Sequence, residues 1–173
     1  EWERGFPDSV TLTASRFLKQ SDRVTQHFRA VSLTNLARAI SDLAVCPALR
    51  RLRSLCLFNS RRSNASWAPL FRSPHLEGLR SLDIDSDLNV DSMEALRQAA
   101  FMPRLQRLRM DSITPSATDL QALSASHLRY FALSHAELDG ERLEEYREIP
   151  GLAGLTHLHL TYSLDEISGP ALA

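Results

Sequence analysis

Lysine, cysteine and glycine are all scarce in this chain of 173 residues, and each scarcity closes off a class of protein. Two cysteines, Cys46 and Cys56, are too few for a disulfide framework, so a reducing, cytoplasmic compartment is expected. Six glycines leave little material for a phosphate-cradling loop, and no G-x-S-x-G, H-E-x-x-H or C-x-x-C pattern occurs. The expectation is a non-catalytic protein with no cofactor and no metal. Net charge is −1, which excludes a nucleic-acid binder driven by bulk charge. No apolar run approaches the roughly 20 residues that span a bilayer, and no charged segment followed by an apolar one marks a signal peptide. No membrane association is expected. The chain opens at Glu1-Trp2-Glu3-Arg4 without a methionine and reads as a piece of a longer protein.

What the chain has in abundance is leucine, well beyond an even share, and among its basic residues arginine, with Lys19 the one lysine. The arginine bias fits a GC-rich coding sequence, which also favours alanine and leucine. The leucines fall into a repeat. Leu52, Leu55 and Leu57 form an L-x-x-L-x-L pattern that recurs at Leu79, Leu82, Ile84 and at Leu105, Leu108, Met110. Leu128, Phe131, Leu133 and Leu155, Leu158, Leu160 follow; Phe28, Val31, Leu33 and Val10, Leu12 extend the series upstream. The final apolar positions are 12, 33, 57, 84, 110, 133 and 160. They define about seven repeats of about 25 residues each, inside the usual range of about 20–29.

The pattern is a strand signature. Side chains alternate across a strand, so the last two apolar positions of each copy share one face. No single copy can bury that face, so the copies must stack into a parallel sheet. Between the copies the apolar spacing lengthens towards 3.6, which predicts helices packed on the leucine face. Leu36, Ile40 and Leu43 mark one. Met93, Leu96 and Ala100 mark another, behind Asp91 and Glu94 as a capping-box-like start. Leu120 and Leu123 follow Thr114-Pro115-Ser116, and Leu143 with Tyr146 follows Asp139-Gly140. Phe17, Leu18 and Val24 predict a helix near the start, and Trp67, Leu70 and Phe71 a loop with a short helix. The fold class is α/β, with a parallel inner sheet and outer helices.

These motifs resemble the leucine-rich repeat superfamily, nearest its ribonuclease-inhibitor-like branch. Leu133-Ser-His-Ala-Glu-Leu138-Asp-Gly140-Glu-Arg-Leu143 is similar to that branch's strand, loop, glycine and helix. The opening Trp2-Glu-Arg-Gly5-Phe6-Pro-Asp-Ser-Val10-Thr-Leu12-Thr resembles the start of repeat regions in large bacterial proteins. The resemblance implies one leucine-rich repeat domain over residues 1–173, shaped as a solenoid or horseshoe. One family feature is missing. The slot three residues after the last leucine, usually Asn or Cys, holds Leu36, Ser60, Asp87, Ile113, Ala136 and Ser163, so no polar ladder is expected there.

The repeat register also lists the outward side chains. The middle column is Thr11, Ser32, Cys56, Asp83, Arg109, Ala132 and His159. The column before it is Ser9, Ala30, Ser54, Ser81, Arg107, Tyr130 and His157; the one after is Thr13, Thr34, Phe58, Asp85, Asp111, Ser134 and Thr161. Binding-type residues gather towards the C-terminal half: Phe58, Asp83, Asp85, Arg107, Arg109, Asp111, Tyr130, His157, His159 and Tyr162. Asp85 and Asp111 are expected to flank Arg109, which serves either sheet stability or recognition. His157 and His159, with His135 one repeat back, match a zinc site in residue type only, since His135 falls past its expected strand and no carboxylate joins them. Arg29, Arg53, Arg80 and Arg129 form a ridge before the strands, either solvated or suited to anions. Cys56 projects outward without a strong basic neighbour.

The function these residues point to is protein–protein interaction, an unnamed protein partner being held on the concave strand face. A structural spacer within a longer repeat protein is the alternative, and the family resemblance adds GTPase regulation as a third. The repeat ends offer further contact, since Leu158, Leu160, Leu164 and Ile167 should form an apolar edge that a continuing chain or another molecule covers.

Overall fold

Leucine triplets spaced three and then two residues apart, recurring about every 25 residues, produce one ladder of parallel strands. The computed structural model describes residues 2–3, 6–7, 9–58, 66–86, 88–111, 115–121, 127–136, 144–146, 149, 152 and 154–162. A two-residue antiparallel pair, β1 (Trp2–Glu3) with β2 (Phe6–Pro7), precedes the array. The array itself is β3 (Ser9–Thr13), β4 (Ala30–Thr34), β5 (Ser54–Phe58), β6 (Ser81–Asp85), β7 (Arg107–Asp111), β8 (Tyr130–Ala136) and β9 (His157–Tyr162). These form one open seven-stranded sheet in sequence order, every neighbouring pair parallel. The protein is an α/β solenoid-like repeat. Among the described residues no helix is long and apolar enough to cross a membrane.

Leucine packing explains the order. In β4 to β8 the inward pairs Val31/Leu33, Leu55/Leu57, Leu82/Ile84, Leu108/Met110 and Phe131/Leu133 are at most 2% exposed. Each fully buried side chain of this size contributes about 1.5–3 kcal/mol. Among the described residues the outermost strands of the array have a paired neighbour on one side only, and their pairs are less covered. Val10 and Leu12 are half-buried, and Leu158 stands 53% exposed beside a half-buried Leu160. The apolar C-terminal edge expected from the sequence is therefore present at Leu158; Leu164 and Ile167 lie outside the described residues.

Helices cover the leucine face: α1 (Ala14–His27), α2 (Ile40–Ala44), α3 (Ala68–Phe71), α4 (Val90–Arg97) and α5 (Ala117–Gln121). Thr13 caps α1 by accepting from the Arg16 N–H, and a non-helical Gln20 kinks it, which is why its apolar spacing is uneven. Trp67, Leu70 and Phe71 are buried around α3, as expected of that stretch. Asn35, with φ of 55°, turns the chain out of β4 so that Leu36 re-enters the core.

Several boundaries differ from the sequence expectation. The cap of α4 is Asn89 rather than Asp91: its side chain accepts from the Ser92 N–H at 2.9 Å. Asp91 instead accepts from the Ser66 hydroxyl at 2.5 Å and Arg72 at 3.1 Å, bonding α4 to the residues on both flanks of α3. Ala99, not Ala100, is buried after α4. Ser116 and Asp119 close a reciprocal cap on α5, so Pro115 sits just outside the helix. His135 lies within β8 rather than past its end. Tyr146 is buried and donates to the Pro115 carbonyl at 2.5 Å. Thr114, Leu123, Asp139, Gly140 and Leu143 lie outside the described residues.

Most of the path from helix to strand is a tighter coil. Cys46, Leu49 and Leu52 each donate a backbone N–H three residues back, to Leu43, Cys46 and Leu49. The same steps run through Leu70, Ser73, Leu76 and Leu79, through Leu96, Ala99, Met102 and Leu105, and through Tyr146, Ile149, Leu152 and Leu155. In such 3₁₀ turns residues three apart eclipse one another, so one apolar stripe with a period of three faces the sheet.

Repeats are also joined along one polar edge. The Arg29 carbonyl accepts two consecutive N–H groups of the next repeat, from Arg53 at 2.8 Å and Ser54 at 3.0 Å. Arg53, Arg80, Gln106 and Arg129 do the same for the repeats that follow. Arg29 Nη1 then donates to the Arg51 carbonyl at 3.0 Å, and Arg53 Nη1 to the Gly78 carbonyl at 2.7 Å. Half of the arginine ridge thus ties 3₁₀ turns to the preceding repeat.

Gly78 leaves room for that contact, because a Cβ there would lie 2.6 Å from Arg53 Nη1. Arg53→Ala is expected to cost about 0.5–1 kcal/mol in denaturant unfolding, and Gly78→Ala less, because the exposed guanidinium can swing aside from the added methyl. The double variant should cost no more than the larger single loss, because both break one contact. Additive losses would show that the two residues act separately.

Candidate functional site

The face opposite the helices carries the residues singled out from the sequence, and strand register fixes their rows. Cys56, Asp83, Arg109, Ala132 and His159 are successive partners, as are Phe58, Asp85, Asp111, Ser134 and Thr161. Ser54, Ser81, Arg107, Tyr130 and His157 form the third row. All three columns stand as the repeat spacing predicts. Tyr162 is opposite Ala136 at the end of β9, past an irregularity in the pairing; its side chain and that of His135 lie outside the described residues.

Arg109 is the hub of the middle row. Its guanidinium donates to Asp111 at 3.3 Å and approaches Asp83 at 3.9 Å, rather than Asp85. Sequence placed Asp85 as the flanking partner, but Asp83 is directly opposite Arg109, whereas Asp85 is opposite Asp111. Asp111 is 9% exposed, and its Oδ1 is buried with no hydrogen-bond partner among the described residues. One carboxylate oxygen is thus matched and the other is not.

Burial pushes the Asp83 carboxyl above the ordinary value of 3.8, against the opposing pull of Arg109 and Arg107. Burial likewise pushes the Cys56 thiol up to about 12, with Asp83 adding to the effect. A thiol held so far above neutrality carries almost no thiolate, so Cys56 is a packing residue on this face.

A second group occupies the outer row. The Arg107 guanidinium carbon lies 4.1 Å from the Tyr130 ring centroid, within cation–π reach. The Tyr130 and His157 rings are 6.2 Å apart and tilted by 32°. His157 and His159 are exposed, and each shares a hydrogen bond with a threonine: Thr156 at 3.0 Å and Thr161 at 2.8 Å. Among the described residues no three His, Cys, Asp or Glu side chains gather to hold a metal ion. Phe58, 37% exposed, stands at the opposite corner beside Asp85.

The leucine side has a crevice of about 10 Å³ between α4, α5 and β7, lined by Met93, Arg97 and Leu120 among others. That is room for about one water. Compared with protein-family models, curated proteins and solved structures, the chain has no match.

Asp83 gives this face a pH signature. The folded carboxyl keeps its proton to higher pH than the unfolded one, so folding is favoured below pH 3.8 and that advantage is lost as pH rises through the raised value. Asp83→Asn is therefore expected to raise Tm by about 1–3 °C at pH 7, with the gain closing near pH 3. A lower Tm at pH 7 would show that the Arg109 contact outweighs the burial cost.

Proposed function

We propose that the chain is a non-catalytic protein-interaction module that binds a protein partner on the outward strand face. The observation that carries this is the shared register of Phe58, Asp83, Asp85, Arg107, Arg109, Asp111, Tyr130, His157 and His159 on three neighbouring rows. Arg and aromatic residues are the types that most often dominate binding energy, and here they edge a patch of charges rather than lying scattered.

On this reading the chain is a leucine-rich repeat protein of the ribonuclease-inhibitor-like branch, of bacterial type, and the bound face is the inner side of its solenoid. Its support is the repeat spacing and the strand–helix order. A cytoplasmic setting is supported by the two free thiols, Cys46 and Cys56. The spacer alternative draws its support from Arg109, whose ion pairs with Asp83 and Asp111 are made within the face itself.

The two readings part on one comparison. The wild-type chain and a variant carrying Asp85→Lys, Arg109→Glu and Tyr130→Ala are each used for affinity capture from lysate, once their circular dichroism spectra match. A protein retained by the wild type and lost by the variant is expected. Identical captures would favour the spacer.

A further inference from the structure

We propose that Arg80, Arg107 and Arg129 form a carboxylate-binding corner that takes an acidic segment of the partner protein. This rests on the interaction reading above and gives the partner its chemistry.

The arginine ridge divides by what its side chains do. Arg29 and Arg53 commit their guanidinium groups to the Arg51 and Gly78 carbonyls. Arg80 and Arg129 hold the same place before β6 and β8 and are exposed; among the described residues neither side chain has a hydrogen-bonded or ionic partner. Arg107, the exposed first residue of β7, lies between them. Its N–H donates to the Arg80 carbonyl at 3.1 Å, and the Gln106 carbonyl accepts from the Arg129 N–H at 2.9 Å. Adjacent strands are about 4.8 Å apart, so the three Cα atoms fall within about 10 Å. Glu77 and Asp22, acids that reach this edge, are paired with Arg104 and Arg51. On the face itself, Asp83 and Asp111 are paired with Arg109. Backbone bonds thus hold three like charges together without an acid of their own, and like charges this near repel. An anion arriving from outside removes that repulsion.

Arg107 sets the ligand type. Its guanidinium carbon lies 4.1 Å from the Tyr130 ring centroid, so the flat face is held while the N–H groups in its plane remain for a second partner. A carboxylate accepts two parallel N–H bonds in that plane. A fork held against a ring in advance also costs less ordering when the ligand binds. Arg80 and Arg129 add a cation on either side, which suits acidic residues spaced along an extended chain. The acids of the face set the limit of the site. Asp83, Asp85 and Asp111 occupy the two neighbouring rows of β6 and β7, where they repel a long polyanion such as a nucleic-acid strand. A short acidic segment confined to the corner avoids them.

The probe is N-acetyl-tetraglutamate amide, titrated at low salt into the whole ¹⁵N-labelled chain. The tetraglutamine peptide is the neutral control, and oligodeoxythymidylate tests the nucleic-acid alternative. Saturable amide shifts are expected at Arg80, Arg107 and Arg129 with tetraglutamate and not with tetraglutamine. Arg80→Gln and Arg129→Gln should each weaken tetraglutamate binding by about threefold or more. Arg107→Lys keeps the charge but loses the fork and the stacking, and should weaken it by about as much. A variant with Arg16→Gln, Arg23→Gln and Arg38→Gln removes more charge from exposed positions elsewhere, yet should bind within about twofold of the wild type, because salt screens distant charges. Absence of saturable shifts at the corner, an equal loss from the distant variant, an Arg107→Lys chain that binds as the wild type does, or tighter binding of the oligonucleotide would each overturn the corner. A partner still captured through the face in that event would leave the interaction reading standing. Identical captures by wild type and the triple variant would instead remove the reading on which the corner rests.

Discussion

Every feature of this protein depends on one constraint: a repeat of about 25 residues makes more apolar surface than it can bury alone. Leu55 and Leu57 are sealed because β4 and β6 stand on either side of β5, and the same holds at each inner strand. At the edge of the described sheet the cover fails, as at Leu158. Stability is then a sum over adjacent pairs rather than the property of a centre. The polar edge obeys the same logic. Each of Arg29, Arg53, Arg80, Gln106 and Arg129 lends its carbonyl to two N–H groups of the next repeat, so apolar and polar bonds both run between neighbours.

The constraint also locates the outward face. A one-residue slip of any strand would expose its leucines, so burial holds the register, and register fixes which side chains share a row. Asp85 meets Asp111, and Arg107 meets Tyr130, because the leucines behind them must meet first. Packing on the inner side thus assembles a charged and aromatic surface on the outer side. The face divides into an acidic corner by Phe58 and a basic, aromatic row from Arg107 to His157.

The strands and rows were legible in the sequence because period two is unmistakable within each strand and the motif recurs along the whole array. The coil between them was less so. Leu43, Cys46, Leu49 and Leu52 are spaced by three, but over so short a stretch that spacing overlaps a helical 3.6, and only the i to i+3 bonds separate them. The signal was present in the sequence, in that Leu70, Ser73, Leu76, Leu79 and Leu96, Ala99, Met102, Leu105 repeat it. In the candidate site, row membership was legible while side-chain partnership was not. Whether Arg109 turns to Asp83 or Asp85, and whether Arg107 lies over Tyr130, depends on rotamers and burial that spacing does not encode. Nor does spacing show that Asp111 is nearly buried while Phe58 is not. The caps moved for a related reason: Asn89 and Asp91 are both competent, and the Ser66 and Arg72 contacts hold Asp91 elsewhere.

Native-state amide hydrogen exchange, resolved strand by strand, tests the neighbour-to-neighbour account most directly. It predicts the strongest protection in β5, β6 and β7, with protection falling towards β3 and β9 as neighbours run out. Equal protection in all seven strands, or the slowest exchange at β9, would contradict it.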